Sequence, residues 1–170
     1  FLVGTGVTIG VAGIATFRSG RIDVSDSLNN TSIGFGAGDA ITTGSQNVAV
    51  GYNAGTSLTS SWGNVSIGYK ALNTETTGFK NVAIGNEALM TQDGANYNTA
   101  VGFEAGEATT TGSNNVFMGF AAGKANTTGA SNVIIGYNAG DANTTGANNV
   151  AVGYLALLSN TTGNANVAVG

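Results

Sequence analysis

The chain has no cysteine and no histidine in its 170 residues, and little charge of either sign. Without cysteine no disulfide can staple the fold, and the redox compartment stays open. Without histidine the commonest metal ligand and general base are missing. Charged residues make up only 8% of the chain against 42% apolar, with a net charge of −4. This balance fits neither a disordered polyelectrolyte nor an ordinary soluble enzyme surface. The five basic residues, Arg18, Arg21, Lys70, Lys80 and Lys124, are scattered. They form no stripe for neutralising phosphates, so nucleic acid is not an expected partner.

What the chain does have is a repeat. Asn recurs every seventeen residues, at Asn30, Asn47, Asn64, Asn81, Asn98, Asn115, Asn132, Asn149 and Asn166. Gly follows four residues later each time, at Gly34, Gly51, Gly68, Gly85, Gly102, Gly119, Gly136, Gly153 and Gly170. A strict period near twenty residues marks a solenoid, in which each unit is one coil stacked on the last. Eight complete units and the start of a ninth fill residues 30–170, and residues 1–29 stand outside the repeat. In that lead-in Val7, Ile9, Ile22 and Val24 lie in alternating stretches broken by glycines, which predicts a β-structured neck or a small cap. The uncharged start, Phe1 to Phe17, is short and glycine-rich for a membrane span, and membrane insertion is not expected. The chain opens without Met and stops inside a repeat, so it reads as a segment of a longer protein.

Within one unit the second position is Val or Thr. The fourth is Ile33, Val50, Ile67, Ile84, Val101, Met118, Ile135 or Val152. Alternation with a period of two predicts a strand. The sixth position continues that face with an aromatic in all units except the one holding Asn86. We expect this face to be the dry interior. The third and fifth positions, mostly Ala, Ser and Gly, would then form a flat outer surface suited to another backbone at short range, interrupted by Phe117 and Ile134. The eighth position is always Ala: Ala37, Ala54, Ala71, Ala88, Ala105, Ala122, Ala139 and Ala156. Such confinement predicts tight packing inside the coil. The ninth is only Gly or Leu. A Thr-Thr-Gly turn follows in most units, its Gly expected at positive φ.

Charges in the repeat fall only at the seventh, tenth, twelfth, thirteenth and seventeenth positions. Burying an unpaired charge is costly, so these positions are expected in solvent and the charge-free ones inside. Ordering one coil costs about 1–2 kcal/mol per residue in backbone entropy. Each large apolar side chain returns about 1.5–3 kcal/mol when buried. A lone coil should therefore be unfolded, and stacking is required. Stacked coils would align the asparagines into a hydrogen-bonded column.

The string Asn81-Val82-Ala83-Ile84-Gly85, with close copies at Asn47 and Asn149, resembles the head repeats of trimeric autotransporter adhesins of the YadA type. The fuller pattern from Asn149 to Gly163 resembles repeats in bacteriophage tail-fibre proteins. The resemblance implies an all-β fold, a left-handed parallel β-roll, three chains side by side, and a role as stalk or adhesive shaft. The expected protein is thus a structural, non-enzymatic shaft of a virion tail fibre. Its partners would be copies of itself, neighbouring fibre or baseplate segments, and a receptor reached through a tip not in this chain. The alternative is a bacterial surface adhesin or extracellular filament whose roll itself binds host or matrix.

Chemistry-bearing candidates are few. Gly34-Phe35-Gly36-Ala37-Gly38 lacks the spacing and the following Lys-Ser/Thr of a phosphate loop. The pair Glu104 and Glu107 has no His or second cluster beside it and reads as a solvated edge. Calcium-binding nonapeptides are absent, and no catalytic, metal or cofactor residues are assigned. A column of threonines raises a remote ice-binding reading, against which their adjacency at a turn counts.

Overall fold

The computed structural model describes residues 27–170, so the stretches around Val7, Ile9, Ile22 and Val24 lie outside the described residues. Among the described residues nine three-residue strands follow one another: β1 Thr31–Ile33, β2 Val48–Val50, β3 Val65–Ile67, β4 Val82–Ile84, β5 Thr99–Val101, β6 Val116–Met118, β7 Val133–Ile135, β8 Val150–Val152 and β9 Val167–Val169. They form one parallel sheet in chain order. Register never slips: Val82 pairs with Thr99, and Thr99 with Val116, always the residue seventeen further on. The chain is therefore an all-β parallel solenoid, and the described residues contain no helix.

Hydrogen bonds between coils continue beyond the strands. Lys70 N donates to Tyr52 O at 2.9 Å, Leu72 N to Ala88 O at 2.9 Å, and Thr127 N to Thr144 O at 2.8 Å. Each of these backbone groups finds its partner on the coil above or below, which an isolated coil would leave unmet. The same geometry reaches back to Leu28, whose carbonyl accepts from Gln46 N at 3.0 Å.

Each strand ends at the fifth position because the chain turns there at a φ that side chains avoid. From Gly34 to Gly153 this φ lies between +127° and +144°. At Gly85 a Cβ would also sit 2.1 Å from the carbonyl oxygen of Gly102 on the next coil. Conformation and close approach both demand glycine. The Thr-Thr-Gly turn works differently from the expectation. Its glycines are not at positive φ; they are small because a Cβ on Gly129 would meet Asn126 Oδ1 at 2.3 Å and Gly146 O at 2.4 Å. The left-handed residue lies two further on, at Gln46, Lys80, Asn114, Ser131, Asn148 and Ala165, and at Tyr97 in a unit without the Thr-Thr-Gly turn.

The inside of the coil is the reverse of the expected one. The asparagines and the third-position residues Ala49, Ser66, Ala83, Ala100, Phe117, Ile134 and Ala151 are buried. The Val and Ile face points outward, with Ile33, Ile67, Ile84 and Met118 exposed. Strand alternation separates two faces but does not say which is inside, and here the narrow coil takes the small one. The eighth-position alanines, Ala37 through Ala156, line the same interior.

That interior holds about one large apolar side chain per coil. Ile41, Leu58, Leu72, Leu89, Phe117, Ile134 and Leu157 take this part in turn. They come from three different positions of the repeat, and glycine opens space where the strand is the source. A Cβ on Gly123 would lie 2.3 Å from the Phe117 ring, and one on Gly140 would lie 2.7 Å from Ile134 Cδ1. The fifth coil, with Ala100, Gly106 and Thr109, contributes none. Its space is taken from either side, since a Cβ on Gly106 would meet Phe117 at 2.6 Å and Leu89 at 2.9 Å. The alternation of Gly and Leu at the ninth position is thus volume compensation within a close-packed core.

Candidate interaction surfaces

The asparagine column is a two-way fastener. Within each coil the side-chain Nδ2 donates across to the carbonyl fourteen residues later: Asn81 to Ala95 O at 2.8 Å, Asn98 to Gly112 O at 2.7 Å, Asn132 to Gly146 O at 2.8 Å. Between coils the side-chain Oδ1 accepts the backbone N–H of the next asparagine, as from Asn98 N to Asn81 Oδ1 and from Asn115 N to Asn98 Oδ1. This bonding runs from Asn30 to Asn166. Asp would lack the donor, and Ser or Ala would lack the reach. Only a side chain with an amide at this length closes the coil and ties it to its neighbour.

The twelfth position, read from sequence as solvated because Glu75 occupies it, is buried instead. Glu75 is fully enclosed and accepts from Thr77 N at 3.1 Å, Gly78 N, Gly94 N at 2.8 Å and Gln92 Nε2 at 2.9 Å. Four N–H donors replace its water, which is what a buried carboxylate requires. Gln92 Oε1 in turn accepts from Asn98 Nδ2 at 2.8 Å. In the last coils Asn126, Asn143 and Asn160 fill the position and make a second ladder, with Asn143 Nδ2 on Asn126 Oδ1 at 3.0 Å. Charge alone misplaced this column because most of the satisfying donors are backbone groups, which leave no mark in the sequence.

The outward face of the sheet is apolar along the stack. Val48, Val65, Val82, Val116, Val133 and Val150 are half-buried, and the fourth-position residues beside them are half-buried or exposed. The sixth-position aromatics stand out further, from 42% exposed at Tyr69 and Phe103 to 78% at Phe35. They stack ring on ring: Phe35 on Tyr52 at 5.7 Å, Tyr52 on Tyr69 at 5.5 Å, then Phe103 on Phe120 at 5.2 Å, Phe120 on Tyr137 at 5.1 Å and Tyr137 on Tyr154 at 5.6 Å. No charged residue occupies the second, fourth or sixth positions among the described residues, and Lys70 Nζ lies 5.2 Å from the Tyr69 ring at the edge of the face. Asn86 separates the two blocks of rings.

A second aromatic group occupies another side, where most coils carry small residues. Trp62 stacks on Phe79 at 4.9 Å, and Phe79 meets the edge of Tyr97 at 5.2 Å. Lys80 Nζ lies 4.9 Å from the Trp62 ring and 5.6 Å from the Tyr97 ring. Trp62 and Tyr97 remain partly open to solvent.

Elsewhere the structure holds little acid–base chemistry. Glu104 and Glu107 pair with Lys124, at 2.6 and 3.5 Å from its Nζ. The hydrogen bond from Lys124 to Glu104, with the charge of both carboxylates, holds its pKa above the ordinary lysine value against a smaller opposing effect of burial. Among the described residues no group of three or more acidic, His or Cys side chains is placed to hold a metal, and no cavity opens. The thirteenth-position threonines turn their hydroxyls into the stack, Thr127 Oγ1 donating to Thr144 O at 3.0 Å and Thr144 Oγ1 to Thr161 O at 3.0 Å.

The fold defines the class: a β-solenoid repeat protein with seventeen-residue parallel coils. Beyond that class, no protein-family model, no curated protein and no solved structure matches the chain.

Proposed function

We propose that this chain is a shaft segment of a trimeric fibre, of the kind built by the phage tail-fibre repeats it resembles, and that it has a mechanical rather than a catalytic role. The observation that carries the reading is the outward apolar face. At about 4.8 Å per coil and 3.3 Å per residue along a strand, it measures roughly 40 by 15 Å. A contiguous apolar strip of about 600 Å² stands at the upper end of the largest patch on a typical soluble monomer, and patches of that size often serve as association sites. A second copy of the chain is the partner whose rungs repeat with the same step along the whole length. Three copies around one axis would bring these faces together, and the hydrogen-bonded stack would give each strand of the fibre its stiffness.

In this reading the flanking partners are other fibre or baseplate segments, and the receptor is met by a tip beyond this chain, on a virion. Limited proteolysis with a nonspecific protease tests the shaft directly. Residues 30–170 should survive as one band at least tenfold longer than an unfolded control of the same composition. Rapid nicking at the turns between coils would contradict a stiff spacer.

The Trp62, Phe79, Tyr97 and Lys80 group favours a second reading, in which the roll is the head of a bacterial surface adhesin and binds host or matrix itself. Partly exposed rings beside a cation are a binding-surface composition, and the repeat has no structural need for them at that position. Binding of the labelled chain to host cells, lost on Trp62→Ala, would support it. An ice-binding role is not favoured, because the ladder threonines spend their hydroxyls on neighbouring carbonyls.

A further inference from the structure

We infer that Asn86, with Thr99 on the following coil, is the pin that sets the axial register between copies of the chain. The inference rests on the proposal that the apolar face is the contact between copies, and it adds what a uniform face cannot supply. Nearly every coil presents the same rung: a β-branched residue, a second aliphatic residue and an aromatic. Two such faces can slide past each other by one whole coil and find nearly every contact again. Association through this surface is therefore strong in sum and weak in register, the general difficulty of flat repetitive strand surfaces.

One place breaks the degeneracy. Asn86 stands alone in a column otherwise made of Phe35, Tyr52, Tyr69, Phe103, Phe120, Tyr137 and Tyr154. On the next coil of the same face lies Thr99, paired between Val82 and Val116; the other polar second-position residue, Thr31, lies on the first coil, away from any gap in the aromatic column. Asn86 is exposed, and its side chain makes no hydrogen bond to the described residues, whereas the first-position asparagines are bonded on both sides. Its amide has donors and acceptors to offer. The ring ladder stops on either side of it, at Tyr69 and at Phe103.

Around a threefold axis parallel to the stack, residues at one height are copies of one residue. In register, three Asn86 side chains meet and satisfy one another, with the Thr99 hydroxyls one coil on. After a one-coil slip each Asn86 faces a ring of its neighbour and loses those partners. A lone polar residue in an apolar seam selects alignment in this way in coiled coils, where its mismatch with an apolar partner is disfavoured.

The absence of native cysteine makes the test clean. Two versions of the whole 170-residue chain, one carrying Ile67→Cys and one Ile84→Cys, are co-expressed, oxidised and mapped by mass spectrometry, with a second pair at Val65 and Val82. Like-to-like disulfides report the aligned assembly; disulfides joining the Ile67→Cys version to the Ile84→Cys version report a one-coil slip. With Asn86 present, aligned products should exceed slipped ones by tenfold or more. With Asn86→Tyr, which completes the aromatic column, the ratio should fall toward one while the assembled mass stays the same. The double variant Tyr69→Asn/Asn86→Tyr moves the notch by one coil, and mixed with the parent chain it should yield mainly slipped products. If Asn86→Tyr assembles with the parent's alignment, or the double variant aligns like the parent, Asn86 is not the pin, though the assembly stands. If the parent chain is monomeric by mass, the assembly reading fails and this inference falls with it.

Discussion

At the scale of single residues, the asparagine column explains its own invariance. Asn81 is enclosed, donates to Ala95 O and accepts from Asn98 N, so it links one coil to itself and to the next. Replacing it with Leu would keep the volume, leave the Asn98 N–H unpaired in the interior and leave Ala95 O only the longer bond from Gln92 Nε2 at 3.3 Å, a cost of about 1–3 kcal/mol at each group. Asn81→Leu should therefore lower unfolding stability by about 2–5 kcal/mol in a denaturant titration, with Asn81→Asp at least as damaging because it turns a donor into an acceptor facing a carbonyl. A loss below about 0.5 kcal/mol, the lower end for a single hydrogen bond, would mean that the column is a passive consequence of stacking. The existence of this column could be read from the sequence because a seventeen-residue period admits only one alignment of coils. Its bonding could not, because the partner carbonyl at Ala95 belongs to the backbone.

At the scale of the coil, the interior is a small volume filled from changing directions. Phe117 fills it from the strand, Leu72 and Leu89 from the ninth position, Ile41 and Leu58 from the twelfth. Phe117→Ala should cost about 3–5 kcal/mol, the range for emptying a buried ring site. Adding Gly123→Leu should recover part of that loss, because Leu72 and Leu89 occupy the same repeat position with the same left-handed backbone, φ 50° and 49°. Gly123→Leu alone should destabilise, since its Cβ already meets the Phe117 ring. A thermodynamic cycle of the two changes is then expected to show a coupling above about 1 kcal/mol, and additivity would refute the compensation. This is also where sequence reasoning inverted the fold. Burying the larger side chains is a sound rule for a monomer in water, and it put Val, Ile and the aromatics inside. The rule fails here because the inside is too narrow for more than Ala, Asn and one larger group, and the proposed contact between copies would cover the larger side chains left outside. Glu75 misled for a related reason: a buried carboxylate is expected to be paired with a cation, and here backbone N–H groups serve instead.

At the scale of the whole molecule, the strict repeat makes a uniform stack, and the proposed contact through the apolar face would turn that stack into an assembling unit. The solenoid and its coil length were legible from the spacing, the strand from the alternation within each unit, and the parallel roll from the resemblance to fibre and adhesin repeats. Whether the chain stands alone was not, because the spacing is the same for one chain or three. The most direct test is the mass of the purified chain in solution by light scattering. The account predicts three times the 16.7 kDa chain mass. It also predicts a return to the single-chain mass, with the β-sheet circular dichroism retained, on Ile84→Glu, which would place like charges at one height of the shared face. A parent chain that stays soluble at 16.7 kDa, with its aromatic face in water, would contradict it.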